Sequence, residues 1–343
     1  MAAESPKTAR ASAPTLDDVA REAGVSLATA SRVLNGSTRK VAESFRVRVE
    51  AAAETLGYTA NVSAQATARG TSAVVALLVA DISDPYFGLI AAGVARGADE
   101  EGLIVTIAVT ERDPARERAI IRTLRGQRPR GLILAASRGH EDESTADELR
   151  AFQQFGGRVV TFGASVPVGE AVHIDNVGGA RMLGAEMALL GYRSAIILAA
   201  SRGIRTSDDR VSGFSAGFAA GGGSVLSVEH GSFQRDSGYD TMKRLLAAGV
   251  DPDTVVFGMS DVIAIGAMAA IRDAGRTVGD DIAVCGFDDV PASLDVTPPL
   301  TTVRVPLSDI GYQAFRATVD SEWEPTGLPL EVTVRASTPP RNS

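Results

Sequence analysis

From residue 73 onward the chain repeats one pattern, a strand-length apolar run followed by an amphipathic stretch of helical period. Few architectures accommodate that alternation. Parallel strands joined by helices, with both sheet faces covered, do so. The runs at 74–80, 103–109, 131–135 and 159–162 read as strands, with helices at 86–101 and 114–125. The cycle restarts with a helix at 177–190, and strands follow at 194–199, 225–228, 254–258 and 282–286. Helices at 208–220, 238–248 and 262–274 separate them. Two such halves in chain order predict an α/β body of two lobes, residues 73–338. A cleft between the lobes would bind ligand outside the carboxyl ends of the strands.

The first seventy residues have another texture. Residues 1–14 read as a flexible tail and 59–72 as a small, polar hinge. Between them, 15–58 predicts an all-α helix-turn-helix. Thr15 can cap a first helix whose positive end is favoured by Asp17 and Asp18. Leu16, Val19, Ala20 and Ala23 form its apolar face, and Gly24 ends it where a left-handed residue is needed. Val25 plugs the corner and Ser26 caps the next helix, so the two meet at a steep angle across a small Ala20. The second helix presents Leu27, Ala28, Thr29, Ser31 and Arg32 outward, a short face suited to a major groove. A third helix, 42–56, is expected to pack Phe45, Val49, Ala52, Ala53 and Leu56 inward, and Gly57-Tyr58 closes it.

Charge and composition narrow the function classes. Residues 1–72 hold nine Lys and Arg against seven Asp and Glu, an excess of +2 within a chain of net charge −8. Only this head is therefore expected to meet a polyanion. The single cysteine, Cys285, permits no intramolecular disulfide and no thiolate metal cluster, which suits a reducing cytoplasm. Residues 1–14 lack the apolar core of a secretory signal, and no run approaches the ~20 residues of a membrane helix.

The residues at this point resemble the lactose-repressor (LacI) family of bacterial transcription regulators. In the head the resemblance rests on Asp18-Val19-Ala20, Ala23-Gly24-Val25-Ser26, Thr29, Ser31-Arg32-Val33-Leu34-Asn35 and Leu56-Gly57-Tyr58. In the body it rests on Asp81-Ile82-Ser83-Asp84-Pro85-Tyr86-Phe87, Asp209-Arg210 with Gly213-Phe214, Gly286-Phe287-Asp288-Asp289 and Pro299-Leu300-Thr301-Thr302-Val303. It implies a three-helix head, a short hinge helix and a two-lobed body like the periplasmic sugar-binding proteins. It also implies homodimers that bind a pseudo-palindromic operator, with hinge helices in the central minor groove and an effector in the cleft controlling lobe angle.

Carried over by position, the DNA-contacting set is Thr15, Ser26, Leu27, Ala28, Thr29, Ser31, Arg32, Asn35 and Thr67. Leu27, Ala28 and Arg32 stand at base-reading positions. The first two can touch only methyl groups, so Arg32 is the candidate for a guanine. The hinge departs from the family. Ala60 replaces the usual proline and Thr67 the leucine wedge, which predicts a smaller DNA bend. Ala42 lacks the usual hydroxyl cap, and Phe45 replaces a phosphate-reaching hydroxyl.

For the effector, the resemblance places Asp81, Tyr86 and Phe87 on one lobe. Ile204, Thr206, Arg210, Phe233, Ser260, Asp261 and Asp288 fall on the other. Carboxylates, a guanidinium and ring faces suit a polyhydroxylated ligand such as a pentose or hexose, and a nucleobase satisfies the same groups. Each residue also has a plain structural role open to it. Asp288 can be a turn residue, Arg210 can pair with Asp208 or Asp209, Phe87 and Phe233 can be core, and Asp261 can cap the following helix.

Enzyme signals are weak. Gly213-x-Ser215-x-Gly217 matches a nucleophile elbow but lies inside a helical stretch, and His230 follows it with no intervening aspartate. His173 and Asp175 have no further ligands nearby for a metal, and Gly221-Gly222-Gly223 lacks the residues of a phosphate loop. The expectation is a ligand-controlled regulator without catalysis, cofactor or metal. The alternative is a stand-alone small-molecule binding protein.

Overall fold

The computed structural model describes residues 14–34, 41–59, 72–135, 143–162 and 168–341. The chain divides into two compact units between Ser72 and Ala73. Asn35, Ala60, Thr67 and most of the expected hinge lie outside the described residues.

The first unit holds α1 (Leu16–Glu22), α2 (Leu27–Leu34) and α3 (Glu43–Leu56). Thr15 and Asp18 cap α1 reciprocally: Thr15 Oγ1 accepts from Asp18 N, and Asp18 Oδ2 accepts from Thr15 N at 2.9 Å. Gly24 adopts φ 60°, and Ser26 Oγ accepts from Thr29 N at 3.2 Å as α2 begins. Val19, Ala20, Ala23, Ala30, Val49 and Ala52 form the core of this unit. Phe45 corrects the inward packing expected of it. It is 41% exposed, and the Arg48 guanidinium lies 5.1 Å over its ring. Only Val49 and Ala52 of α3 are buried, so the ring in its first turn projects past the core. The start of that helix is uncapped, since Ala42 has no side chain that can accept a hydrogen bond.

The second unit contains two parallel sheets. The first runs β2-β1-β3-β4-β5, from β1 (Val74–Val79), β2 (Ile104–Val109), β3 (Gly131–Leu134), β4 (Arg158–Phe162) and β5 (Glu170–Val172). The helices α4 (Pro85–Glu100), α5 (Pro114–Gln127) and α6 (Glu143–Gln154) connect its strands. The second sheet runs β7-β6-β8-β9, from β6 (Ser194–Ala199), β7 (Ser224–His230), β8 (Thr254–Gly258) and β9 (Ala283–Cys285). Helix α7 (Asn176–Leu189) leads into it, with α8 (Arg205–Ala220), α9 (Arg235–Ala248) and α10 (Asp261–Asp273) between its strands. Central strands β1, β3, β6 and β8 are buried almost throughout, as strands covered on both faces must be.

The expected strands and connecting helices are present, but the lobes do not follow chain order. After a short α11 (Ala292–Asp295) and β10 (Thr302–Arg304), the chain returns to the first lobe. There α12 (Leu307–Val319) packs along α4 and over β3 and β4, before β11 (Glu331–Thr333) pairs antiparallel with β10. The α12–α4 contact is made backbone to backbone. A side chain at Gly93 would strike the Ser308 carbonyl, and one at Gly311 would strike that of Ile90.

Candidate functional site: a cleft between two lobes and an exposed helix face

The cleft is built on the carboxyl end of β9. Gly286-Phe287-Asp288-Asp289 leaves the strand with Asp288 at φ 114° and Asp289 at φ 54°, left-handed conformations that cost free energy for residues with a side chain. Neighbouring bonds hold them there. The Asp289 carboxylate accepts from Arg335 at 2.6 Å and from Arg304 at 2.9 Å. Asp288 N donates to Val303 O at 2.9 Å. The Asp288 carboxylate then meets Arg210 of α8 at 2.8 Å, with both side chains almost completely buried.

Each of the three nitrogens of the Arg210 guanidinium donates a hydrogen bond. Besides Asp288, it reaches Asn176 Oδ1 and Met259 O at 2.8 Å each, and its carbon lies 3.9 Å from the centre of the Phe287 ring. Burial pushes the Asp288 carboxyl up to about 6, against the pull of Arg210. Beside this pair stands Ser260, 4% exposed, whose hydroxyl has no hydrogen-bond partner among the described residues although it lines the cleft. An unpaired buried hydroxyl costs free energy that a ligand hydroxyl would recover.

The first lobe supplies the opposite wall. Asp84 Oδ1 accepts from Tyr86 N at 3.0 Å, capping α4 where Tyr86 and Phe87 begin it. The two rings meet edge to face at 5.1 Å, and Phe162 and Ile174 extend the apolar surface. Burial raises the Asp84 carboxyl. In the loop after β2, Glu111 and Arg112 adopt φ 55° and 58°, and the Arg112 guanidinium lies 4.1 Å over the Phe233 ring of the other lobe. Burial lowers the pKa of that guanidinium, opposed by Asp84 and Asp81. The space so enclosed measures about 570 Å³ when its open mouth is included.

Of the expected effector residues, Tyr86, Phe87, Thr206, Arg210, Phe233, Ser260 and Asp288 line this cavity. Asp81 and Ile204 stand on an outer chamber instead. Asp261 does not line the cavity and does not cap α10, where Ser260 holds the cap position. Its oxygens accept from Thr302 Oγ1 at 2.6 Å and Val290 N at 2.9 Å, which ties the Asp288 loop down, and burial raises its pKa. Arg210 pairs with Asp288 rather than with Asp208 or Asp209. Asp84, Arg112, Phe162, Ile174 and Asn176 also line the cavity and were not expected. A signal for Arg112 exists, because it lies in the loop directly after the carboxyl end of β2.

The enzyme-like motifs dissolve into structure. Ser215 lies within α8, its hydroxyl donating to Val211 O at 2.7 Å. Asp175 caps α7 by accepting from Gly178 N at 2.8 Å. Among the described residues no three His, Cys, Asp or Glu side chains converge on a point that could hold a metal, and no helix is long and apolar enough to cross a membrane.

In the first unit, Thr15, Ser26, Leu27, Ala28 and Arg32 are exposed, while Thr29 and Ser31 are half-buried. The Ser26 and Thr29 hydroxyls are 2.8 Å apart. Leu27, 49% exposed at the first position of α2, stands outside the small core of this unit.

Comparison with known proteins places these features in context. Residues 15–61 match the model for bacterial regulatory proteins of the lacI family, and residues 185–338 match a periplasmic binding protein-like domain. The transcriptional regulator GalR of Escherichia coli (strain K12) is 33% identical over 304 residues, 88% of this chain and 87% of the relative. The transcriptional regulator CelR of Thermobifida fusca is 31% identical over 334 residues, 93% of this chain and 96% of the relative. Among solved structures, a lac repressor dimer bound to operator and the anti-inducer ONPF superposes with a TM-score of 0.83 at 26% identity, covering 96% of this chain and all of that one. A CelR–cellobiose complex superposes with a TM-score of 0.67 at 30% identity, covering 94% and 99%.

Proposed function

The chain belongs to the lacI family of bacterial regulatory proteins and is a DNA-binding transcriptional regulator, and from that premise we propose that it is a repressor governed by a sugar held between its lobes. The observation that carries the sugar reading is the cleft itself. The Arg210–Asp288 pair and the unpaired Ser260 hydroxyl occupy one side, and the Tyr86, Phe87 and Phe162 rings the other. Fixed charged groups pair sugar hydroxyls while ring faces cover the apolar side of a pyranose. The effector set is accordingly Tyr86, Phe87, Thr206, Arg210, Phe233, Ser260 and Asp288, joined by Arg112 and Asn176.

The DNA set is Thr15, Ser26, Leu27, Ala28, Thr29, Ser31 and Arg32, with Asn35 and Thr67 beyond the described residues. In this reading the chain acts as a homodimer on a pseudo-palindromic operator, in the cytoplasm and without catalysis. The regulators named among its relatives and the dimer–operator complex support that. The domain division proposed is tail 1–14, head 15–58, hinge 59–72 and effector-binding body 73–338. A sugar shifts operator affinity only by binding the two lobe arrangements unequally.

The test has two arms. Selection from random duplexes at low salt should yield a palindromic site, bound with steep salt dependence. A thermal-shift screen over sugars and nucleobases should raise the melting temperature with a sugar. Stabilisation by nucleobases alone would replace sugar with purine in this reading, and failure to select any operator would remove the DNA assignments.

A further inference from the structure

A side-chain contact bridges the two walls of the cleft at its mouth. Arg112 of the first lobe lays its guanidinium 4.1 Å over the Phe233 ring of the second. Both residues line the cavity described above and also the wider space outside it, so the contact stands where a ligand enters. Each partner is carried by a loop that its own lobe braces. Around Arg112, Glu111 N donates to Ala80 O and Asp113 N to Thr110 O, both at 3.0 Å. Arg116 spans the same loop, with Nε donating to Val109 O and Nη1 paired with Glu111 Oε1, again at 3.0 Å. On the facing side, Gly231 N donates to Ala199 O and Ser232 N to Ser237 Oγ, both at 2.9 Å.

Consecutive left-handed residues at Glu111 and Arg112, with φ 55° and 58°, cost free energy, and this bracing holds them in place. The result is a preset arm. Among the described residues Arg112 donates no hydrogen bond and enters no ion pair, so the ring is the partner its charge has taken. Asp81 and Asp84 stand on its own lobe, near enough to act on that charge without pairing with it. Opening the lobes would leave both loops intact and part the stack, releasing the guanidinium to those carboxylates. Two arrangements of one side chain thus correspond to two lobe angles.

We propose that Arg112 and Phe233 form a latch that holds the lobes closed before any effector arrives. Removing it should lower the ratio of closed to open molecules by the strength of one cation–π contact, about three- to thirtyfold. The regulatory consequence rests on the reading of the cleft as the effector site. A ligand touching both walls also favours closure, so latch and effector bias one equilibrium in the same direction. Unlatching therefore acts on the operator as the reverse of adding effector.

Spin-label distances on the full chain test the latch without any sugar. Labels at Ala115→Cys and Lys243→Cys occupy exposed sites, one on each lobe, while the native Cys285 is buried. With labelled chain diluted in unlabelled chain, Arg112→Ala and Phe233→Ala should each move population from the short separation to the long one by the factor above. The double variant should go no further than either single one, and Arg112→Lys should keep part of the closed population. Distances unchanged by either substitution, or shifts that add in the double variant, would overturn the latch. Gel shifts without effector read the consequence: both alanine variants should change operator affinity in the direction opposite to the effector found by the sugar screen. A change in the effector's own direction, or none, would overturn the regulatory role. Failure of every sugar to bind would remove the sugar reading and leave the distance result standing.

Discussion

At Asp288 the backbone, the charge and the cleft meet. Its carboxyl is raised from 3.8 to about 6, so the ionised acceptor that pairs with Arg210 and faces a ligand exists mainly above that value. Sugar affinity should climb as pH rises through about 6 and level off beyond it. Asp288→Asn should weaken binding and abolish the step, as calorimetry at several pH values would reveal. Stability carries the opposite sign. The folded carboxyl holds its proton more tightly than the unfolded chain does, so this residue's contribution falls as pH rises between 3.8 and about 6. In the head, Arg32→Ala should lose about 1–3 kcal/mol of discrimination at one base position, read by competition gel shifts against single-base operator variants. A uniform loss across all variants would make Arg32 a phosphate contact instead.

Among the elements, the helix start at Ala42 and the glycine-lined helix pairs make separate predictions. Ala42 already has the extended backbone of a cap (φ −59°, ψ 138°) without an acceptor. Ala42→Ser should stabilise the head by about 0.5–2 kcal/mol, measured by thermal unfolding. Helices α7 and α8 pack as closely as α4 and α12. A side chain at Gly217 would strike the Arg181 carbonyl, and one at Gly184 that of Phe214. Gly217→Val should cost at least about 1–3 kcal/mol by forcing that pair apart, whereas Ser215→Ala should change stability by no more than about 0.5 kcal/mol. Urea midpoints would separate the two. The apparent nucleophile elbow is thus a close-packing stripe. Period and burial made most strands and connecting helices legible in the sequence, because covered parallel strands are continuous apolar runs. Helix α6 was not, since only Thr145, Ala146, Leu149 and Phe152 of its twelve residues are buried. In the cleft, Arg210 and Asp288 were legible as residues but their pairing was not, because no local rule links positions 78 apart. Asp261 misled for the same reason: a local cap signal conceals a long-range brace to Thr302 and Val290.

The whole molecule carries the regulatory reading. Sedimentation equilibrium should report a mass near twice the 35.5 kDa chain, and a stable monomer would remove the palindromic operator from the proposal. Coupling between sugar and DNA is reciprocal: whatever factor the sugar takes from operator affinity, the operator takes from sugar affinity. Measuring both constants on one preparation checks the allosteric account independently of which sugar is used.

The return of α12 to the first lobe has a consequence during biosynthesis. A ribosome delivers β1 through β5 long before Leu307, so the glycine face of α4 has no covering partner while the second lobe is still being made. A chain stalled before α12 therefore carries an unsealed first sheet, and its second lobe still lacks Arg335 and Ser337, which brace the end of β9 and the loop after it.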